Sequence, residues 1–246
     1  MNLATLSYRP EEIAAKRREI TERFITISPD IRTPKITRIS VIDLRFLFEL
    51  YDEIFFSNYF KNEYPGKFKF SLSPRLTRSA GKTLCPRNIA KIKPENVIIE
   101  IRMGLSFFFK YDEIATDKMV CGLLTHHSLE AFQLVFEHEL CHVLEFIHYH
   151  HSSCAQKRFK TIAQNIFGHL ESYHKLPTSR TIAEEKYDLK IGDLVSFSVE
   201  NRRLEGMIYN IHKRATVMVR DSQGRYTDKK GNRYSKFYVP VEFLRK

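Results

Sequence analysis

The sequence predicts an α+β domain followed by a small all-β domain. Three observations carry this: a long helical pattern that is apolar over much of its circumference, two strand patterns ahead of it, and a change to short Gly-punctuated strands near the end. With 246 residues, 43% hydrophobic and 28% charged, the chain is long enough for one large domain or for a medium and a small one, and is neither disordered nor fibrous.

Residues 10–24 open on Pro10 and early acids and continue with helix formers, which predicts a charged, mostly exposed, peripheral helix within an N-terminal extension of residues 1–39. From Asp43 to about Tyr59 the apolar positions Leu44, Leu47, Phe48, Tyr51, Ile54 and Phe55 keep one helical face, a core helix broken by Asn62, Pro65 and Gly66. Lys67 to Ser73 alternates Phe68, Phe70 and Leu72 with polar residues, and the β-branched run Asn96 to Met103 is a second strand. Between them, Arg78 to Lys82 reads as a turn or edge segment. Ser128 to about Tyr149 is the long central helix, with His126 and His127 as surface residues ahead of a cap at Ser128. A further helix from Ser153, capped by that serine, ends at Phe167 before Gly168.

Residues 177–185 are short and polar and read as a linker. After them, Val195, Phe197 and Val199, then Met207, Ile208 and Ile211, then Thr216 to Val219 give the short strands of a small barrel over residues 186–246. Charge divides at the same place. Residues 186–246 hold 14 Lys and Arg against 7 Asp and Glu, net +7, whereas the preceding 185 hold 26 against 22, net +4, of the total +11.

Nine of the ten histidines lie between His126 and His174, and within that window stands His138-Glu139-Leu140-Cys141-His142 on the central helix. Residues i and i+4 share a helical face, so both imidazoles can reach one Zn²⁺, while Glu139 can act as general base toward water. Zinc chemistry of this type polarises a carbonyl and hydrolyses peptides. Cys141, inside the motif, reads as a small buried residue.

Several separated segments carry a resemblance: Leu50 to Phe56, the strand followed by Arg78-Ser79-Ala80-Gly81, the strand Val97 to Ile101, Phe136 to His142, and Arg158-Phe159 continuing to Phe167-Gly168-His169. Together, over about residues 40–176, they resemble the SprT-like zinc metallopeptidases, a family that includes the DNA–protein crosslink protease Spartan. The resemblance implies a minigluzincin-like α+β zincin domain, a Zn²⁺ cofactor and endopeptidase chemistry. One position departs from it. The family's third ligand is a His four residues before the Phe of the next helix, where this chain has Ala155. His151, in the loop leaving the motif helix, is the first choice to replace it, with His150 and Cys154 as rivals. His169 and His174 follow a whole helix later and look too distant. The Ala80-Gly81 segment reads either as an edge for an extended peptide or as a turn glycine.

In the C-terminal domain, Arg202, Arg203, Lys213, Arg214, Lys229, Lys230 and Arg233 interleave with Tyr209, Tyr226, Tyr234, Phe237 and Tyr238, a composition suited to phosphates and bases. Ile191 to Phe197 resembles the first strand of SH3- and KOW-like barrels. Four scattered cysteines without a CxxC pair suit a reducing compartment, and neither a leader pattern nor an 18-residue apolar run is present, so a cytoplasmic chain without membrane anchoring is expected. The leading expectation is a zinc-dependent endopeptidase acting on protein bound to DNA or RNA, tethered by the basic barrel. The alternative is a nucleic-acid-binding protein whose SprT-like domain is structural or inactive.

Overall fold

A computed structural model describes residues 5–77 and 79–246. Arg78, part of the expected edge segment, lies outside the described residues. The chain divides into two compact units, residues 1–112 with 116–176, and residues 113–115 with 177–246.

The first unit begins with helix α1 (Pro10–Ile27), followed by α2 (Val41–Phe56) and the short α3 (Tyr59–Asn62). Ser40 caps α2 by accepting from the Asp43 N–H. Contrary to expectation, α1 is not peripheral. Ile13, Ile20 and Phe24 are buried along one stripe, and Arg17 belongs to that stripe, so the helix sends a guanidinium inward. The high average charge of the helix conceals a stripe only three apolar residues wide.

Strands β1 (Lys67–Ser73), β2 (Gly81–Leu84) and β3 (Ile98–Gly104) form a mixed sheet in the order β1-β3-β2. Central β3 runs parallel to β1 and antiparallel to β2, and Ile99, Ile101 and Met103 from it are fully buried. Of the turn and edge readings of this segment, the edge holds from Gly81, where β2 begins. Helix α4 (Ser106–Phe109) and a hairpin of β4 (Lys118–Val120) and β5 (Leu123–Thr125) follow. The hairpin closes on Cys121 and Gly122, both at positive φ (52° and 79°), which suits a two-residue turn.

Helix α5 (Ser128–Tyr149) runs through the middle of the unit and packs on β2, β3, β4, α4 and α6 (Lys157–Phe167). Its cap is His127 rather than Ser128: the His127 imidazole accepts from the Glu130 N–H at 3.1 Å. Helix α6 starts four residues later than expected. The Ser153 N–H donates to the buried Glu145 carboxylate at 3.0 Å, so the segment before Lys157 is tied back to α5 instead of joining the helix.

The second unit contains α7 (Ser179–Tyr187), β6 (Leu194–Val199), β7 (Arg202–Ile211), β8 (Ala215–Arg220), β9 (Tyr226–Thr227) and β10 (Arg233–Val239). The segment read as a linker is therefore mostly helix: Thr178 caps α7, and Ala183 is fully buried with Leu189, Val195, Phe197, Ile208 and Val217. Its polar surface residues conceal the two side chains it buries, Ile182 and Ala183. The strands form one antiparallel sheet in the order β6-β7-β8-β10-β9. No ladder joins β6 to β9 among the described residues, so the sheet is open where a closed barrel was expected. The chain end lies along the β6 edge, with Arg245 and Ser196 exchanging backbone hydrogen bonds.

Candidate metal centre

The two motif histidines sit one turn apart on α5 and converge, His138 Nε2 to His142 Nε2, at 3.2 Å. Burial pulls the pKa of His138 down to about 3, with His142 and His169 adding to the effect, and that of His142 down to about 4 against the pull of Glu145. Both rings are therefore neutral near pH 7.

The tautomer of His142 is fixed from outside. Its Nδ1 lies 2.6 Å from Ser152 Oγ, and that hydroxyl donates to Glu145 Oε2 at 2.7 Å. The Ser152 oxygen thus accepts from Nδ1–H, leaving the Nε2 lone pair directed at His138. Glu145 is completely buried and is held by Arg158 Nε at 2.7 Å. On the other ring, His138 Nδ1 faces the thiol of Cys121 at 4.0 Å.

The side chain that the structure groups with this pair is that of Cys154, one of the rivals to His151. One ligand atom each from His138, His142 and Cys154 lie within 4.8 Å of one another. The structure does not bring His151 to this group: its side chain is exposed, and its carbonyl accepts from Arg158 at 3.0 Å. His150 ends α5 in the left-handed region (φ 56°) and is also exposed. Since Glu145 gathers Ser152, Ser153 and Arg158, the loop turns Cys154 inward and leaves both loop histidines in water.

With His142 Nε2 presenting its lone pair, an Nε2–H of His138 closes the 3.2 Å contact when no metal is bound, and a shared cation closes it when His138 takes the Nδ1–H form. A tetrahedral Zn²⁺ with bonds of about 2.0–2.1 Å separates two nitrogen ligands by about 3.3 Å. A donor set of two imidazoles and one thiol also suits zinc, with a fourth position open. The residues present therefore fit the metal that the motif implies.

Glu139 faces the cleft from the same helix turn. Burial pushes its carboxyl up to about 7, and the Thr83 hydroxyl on β2 steadies it by donating to Oε2 at 2.7 Å, which acts in the opposite direction. Gly81 stands beside it: a Cβ there would come within 2.5 Å of Glu139 Oε1. Close approach of edge strand β2 to the carboxylate requires this glycine, so the even choice between an edge and a turn resolves to the edge.

These groups line a cleft of about 570 Å³ with residues 79–83 on one wall and Val120, Cys121, Tyr173 and His174 on another. His174 therefore reaches the cleft despite its distance in sequence, its Nε2 accepting from the Ala80 N–H at 3.2 Å. His169 does not reach it. That ring is buried below α5, where its Nε2 lies 2.9 Å from Glu137 Oε2. Arg17 meets the same Glu137 carboxylate with two bonds, Nε at 2.8 Å and Nη2 at 2.6 Å, and Tyr51 Oη donates to it at 2.8 Å. Burial pushes Glu137 upward, but the Arg17 charge together with the hydrogen bonds from Arg17 and His169 more than offsets it and holds the carboxyl at about 2.

Sequence reasoning found His138, Glu139 and His142 but missed the supporting residues Thr83, Ser152, Glu145 and Cys121, whose roles arise only from contacts 7 to 56 residues apart. The seven basic residues expected to bind nucleic acid are all exposed. Arg202 and Arg203 open β7, Lys213 and Arg214 occupy the turn before β8, Lys229 and Lys230 the turn before β10, and Arg233 starts that strand. No helix among the described residues is long and apolar enough to cross a membrane.

A model of the SprT-like family matches residues 44–181. No curated protein and no solved structure matches the chain.

Proposed function

The chain belongs to the SprT-like family, and on that premise we propose that it is a zinc-dependent endopeptidase whose metal is held by His138, His142 and Cys154. The observation that carries the reading is the convergence of the two neutral Nε2 atoms at 3.2 Å beside the Cys154 thiol, with a buried carboxylate one residue along the helix. A bound Zn²⁺ supplies Lewis acidity, polarising a peptide carbonyl and acidifying water.

The remaining chemistry belongs to the chain. Glu139 takes a proton from the attacking water and returns it to the departing amine, and its place in the cleft one residue along from His138 lets it reach both. Thr83 holds Oε2, and the absence of a side chain at Gly81 leaves Oε1 room to meet the water. Edge strand β2 offers backbone groups to an extended substrate segment. Ser152, Glu145 and Arg158 keep His142 in its ligating tautomer.

The substrate is protein bound to nucleic acid, and the C-terminal unit is the tether. Its support is the +7 excess over residues 186–246 and the exposure of all seven basic residues named above.

Metal analysis and proteolysis test the two layers. Purified protein should carry about one zinc per chain, lost in His138→Ala. Cleavage of a DNA-bound protein should fall about 10²–10⁴-fold in Glu139→Gln while zinc is retained. Zinc without any proteolysis would leave a structural metal site in a nucleic-acid-binding protein, and folded metal-free protein would end the enzyme reading.

A further inference from the structure

The C-terminal sheet has a face that neither the metal centre nor the turn cations account for. Val195, Phe197, Ile208, Val217 and Val239 alternate inward to the core of this unit, so the residues between them point outward. Register then orders the outward side chains in bands across the strands. At one end Tyr209, the unpaired residue of a bulge in β7, and Tyr238 on β10, each 63% exposed, flank β8, whose Thr216 pairs with both Tyr238 and Asn210. In the middle Leu194, Met207, Met218 and Lys236 lie side by side, Leu194 76% exposed and the Lys236 ammonium 3.9 Å from the Tyr226 ring centre. At the other end come Arg220, which is paired across the ladder with Tyr234, and Arg203.

A groove of about 460 Å³ runs over this face between Arg203, Arg220 and Lys246. Among the described residues neither Arg203 nor Arg220 is ion-paired with a carboxylate. Arg203 reaches Ser196 Oγ (3.1 Å) and Arg220 the Asn232 side chain (2.8 Å), both neutral. Glu205 is the face's one acid among the described strand residues, and Lys246 is already held by Asp188 and Asp193.

Resting on the tether reading above, we propose that this outward face is a platform for single-stranded DNA, its bases stacked on Tyr209 and Tyr238 and its phosphates met by Arg203 and Arg220. Exposed rings offer nothing to a duplex, whose bases are already stacked, whereas a single strand presents free base faces and phosphates together. Leu194, Met207 and Met218 fill most of the band between the rings and the cations, and the Lys236 ammonium at its end is drawn over the Tyr226 ring at 3.9 Å, so a ribose 2′-hydroxyl finds few partners there and RNA loses solvation with little compensation. The groove is concave, which disfavours insertion into a bilayer.

The test is anisotropy of a labelled 15-nucleotide oligo-dT with the full chain at two salt concentrations. Tyr209→Ala and Tyr238→Ala should each weaken binding roughly tenfold. Tyr→Phe at the same positions should retain it, and Arg220→Gln should lower the slope of log affinity against log salt by about one. A 15-base-pair duplex, oligo-rU and anionic vesicles should all bind more weakly. Both tyrosines are exposed, so a circular dichroism melt should not change. If the tyrosine variants bind like wild type while Lys213→Gln with Arg214→Gln abolishes binding, the tether stands and this platform is wrong. Equal or tighter binding of duplex, oligo-rU or vesicles also overturns it. If no polynucleotide binds at all, the tether reading itself fails.

Discussion

In the unit that holds His138 and His142, carboxylates are buried at Glu137, Glu139 and Glu145, and each is met by a specific donor: Arg17 with Tyr51 and His169, Thr83, and Arg158 with Ser152. In the C-terminal unit the cations stand in water at strand ends, in turns and on an outward face, and few have acidic partners. Burial sets the protonation of individual groups in the first unit, pulling two histidines down and pushing Glu139 up, because an unsolvated charge is costly. Solvent screens the second, whose charge acts collectively and over about a Debye length. Chemistry needs the first kind of electrostatics and targeting the second.

That contrast can be broken most severely from below the metal centre. Arg17→Met leaves Glu137 charged and fully buried without its main partner, an expected loss of about 3–5 kcal/mol, read by urea unfolding. Replacing both partners with apolar residues should recover much of that loss, since the penalty comes from the stranded charge.

Gly81→Ala is the next largest. Its added Cβ displaces the Glu139 carboxylate, and peptidase activity should drop by about 100-fold with little change in melting temperature or zinc content. Ser152→Ala breaks the link between His142 Nδ1 and Glu145 and should weaken zinc affinity about 10–100-fold in chelator competition, with Ser152→Thr retaining more of it. Smallest is Lys213→Gln in the C-terminal unit, which should leave proteolysis of a free peptide unchanged and lower the salt slope of nucleic-acid binding by about one.

Legibility in the sequence follows the range of the interactions. Helix α5 and its HExxH motif were readable because periodicity and i, i+4 spacing are local properties. The strands β1 and β3 were readable from alternation and β-branching. Helix α1 was misjudged because its buried stripe is narrow and its partner Glu137 lies 120 residues away. Residues 177–185 read as a linker because the helix they mostly form buries only Ile182 and Ala183. For the third donor, the loop after α5 offered His151 ahead of His150 and Cys154; the structure groups Cys154 with the motif pair, because Glu145 draws in Ser152 and Ser153. Glu145, seven residues beyond His138 on the apolar motif helix, was the clue available in the sequence, but its meaning depends on which loop groups it holds. On the C-terminal sheet the basic pairs were visible as sequence neighbours, while the band running from Tyr209 and Tyr238 to Arg220 exists only once strand register is known.

The central claim is that a His138, His142 and Cys154 set holds zinc. X-ray absorption at the zinc edge of purified wild type measures this directly. One sulfur at about 2.3 Å with two imidazole nitrogens at about 2.0–2.1 Å is predicted, with the sulfur shell lost in Cys154→Ala and unchanged in His151→Ala. A purely nitrogen and oxygen shell, or a sulfur shell that persists in Cys154→Ala, would contradict it.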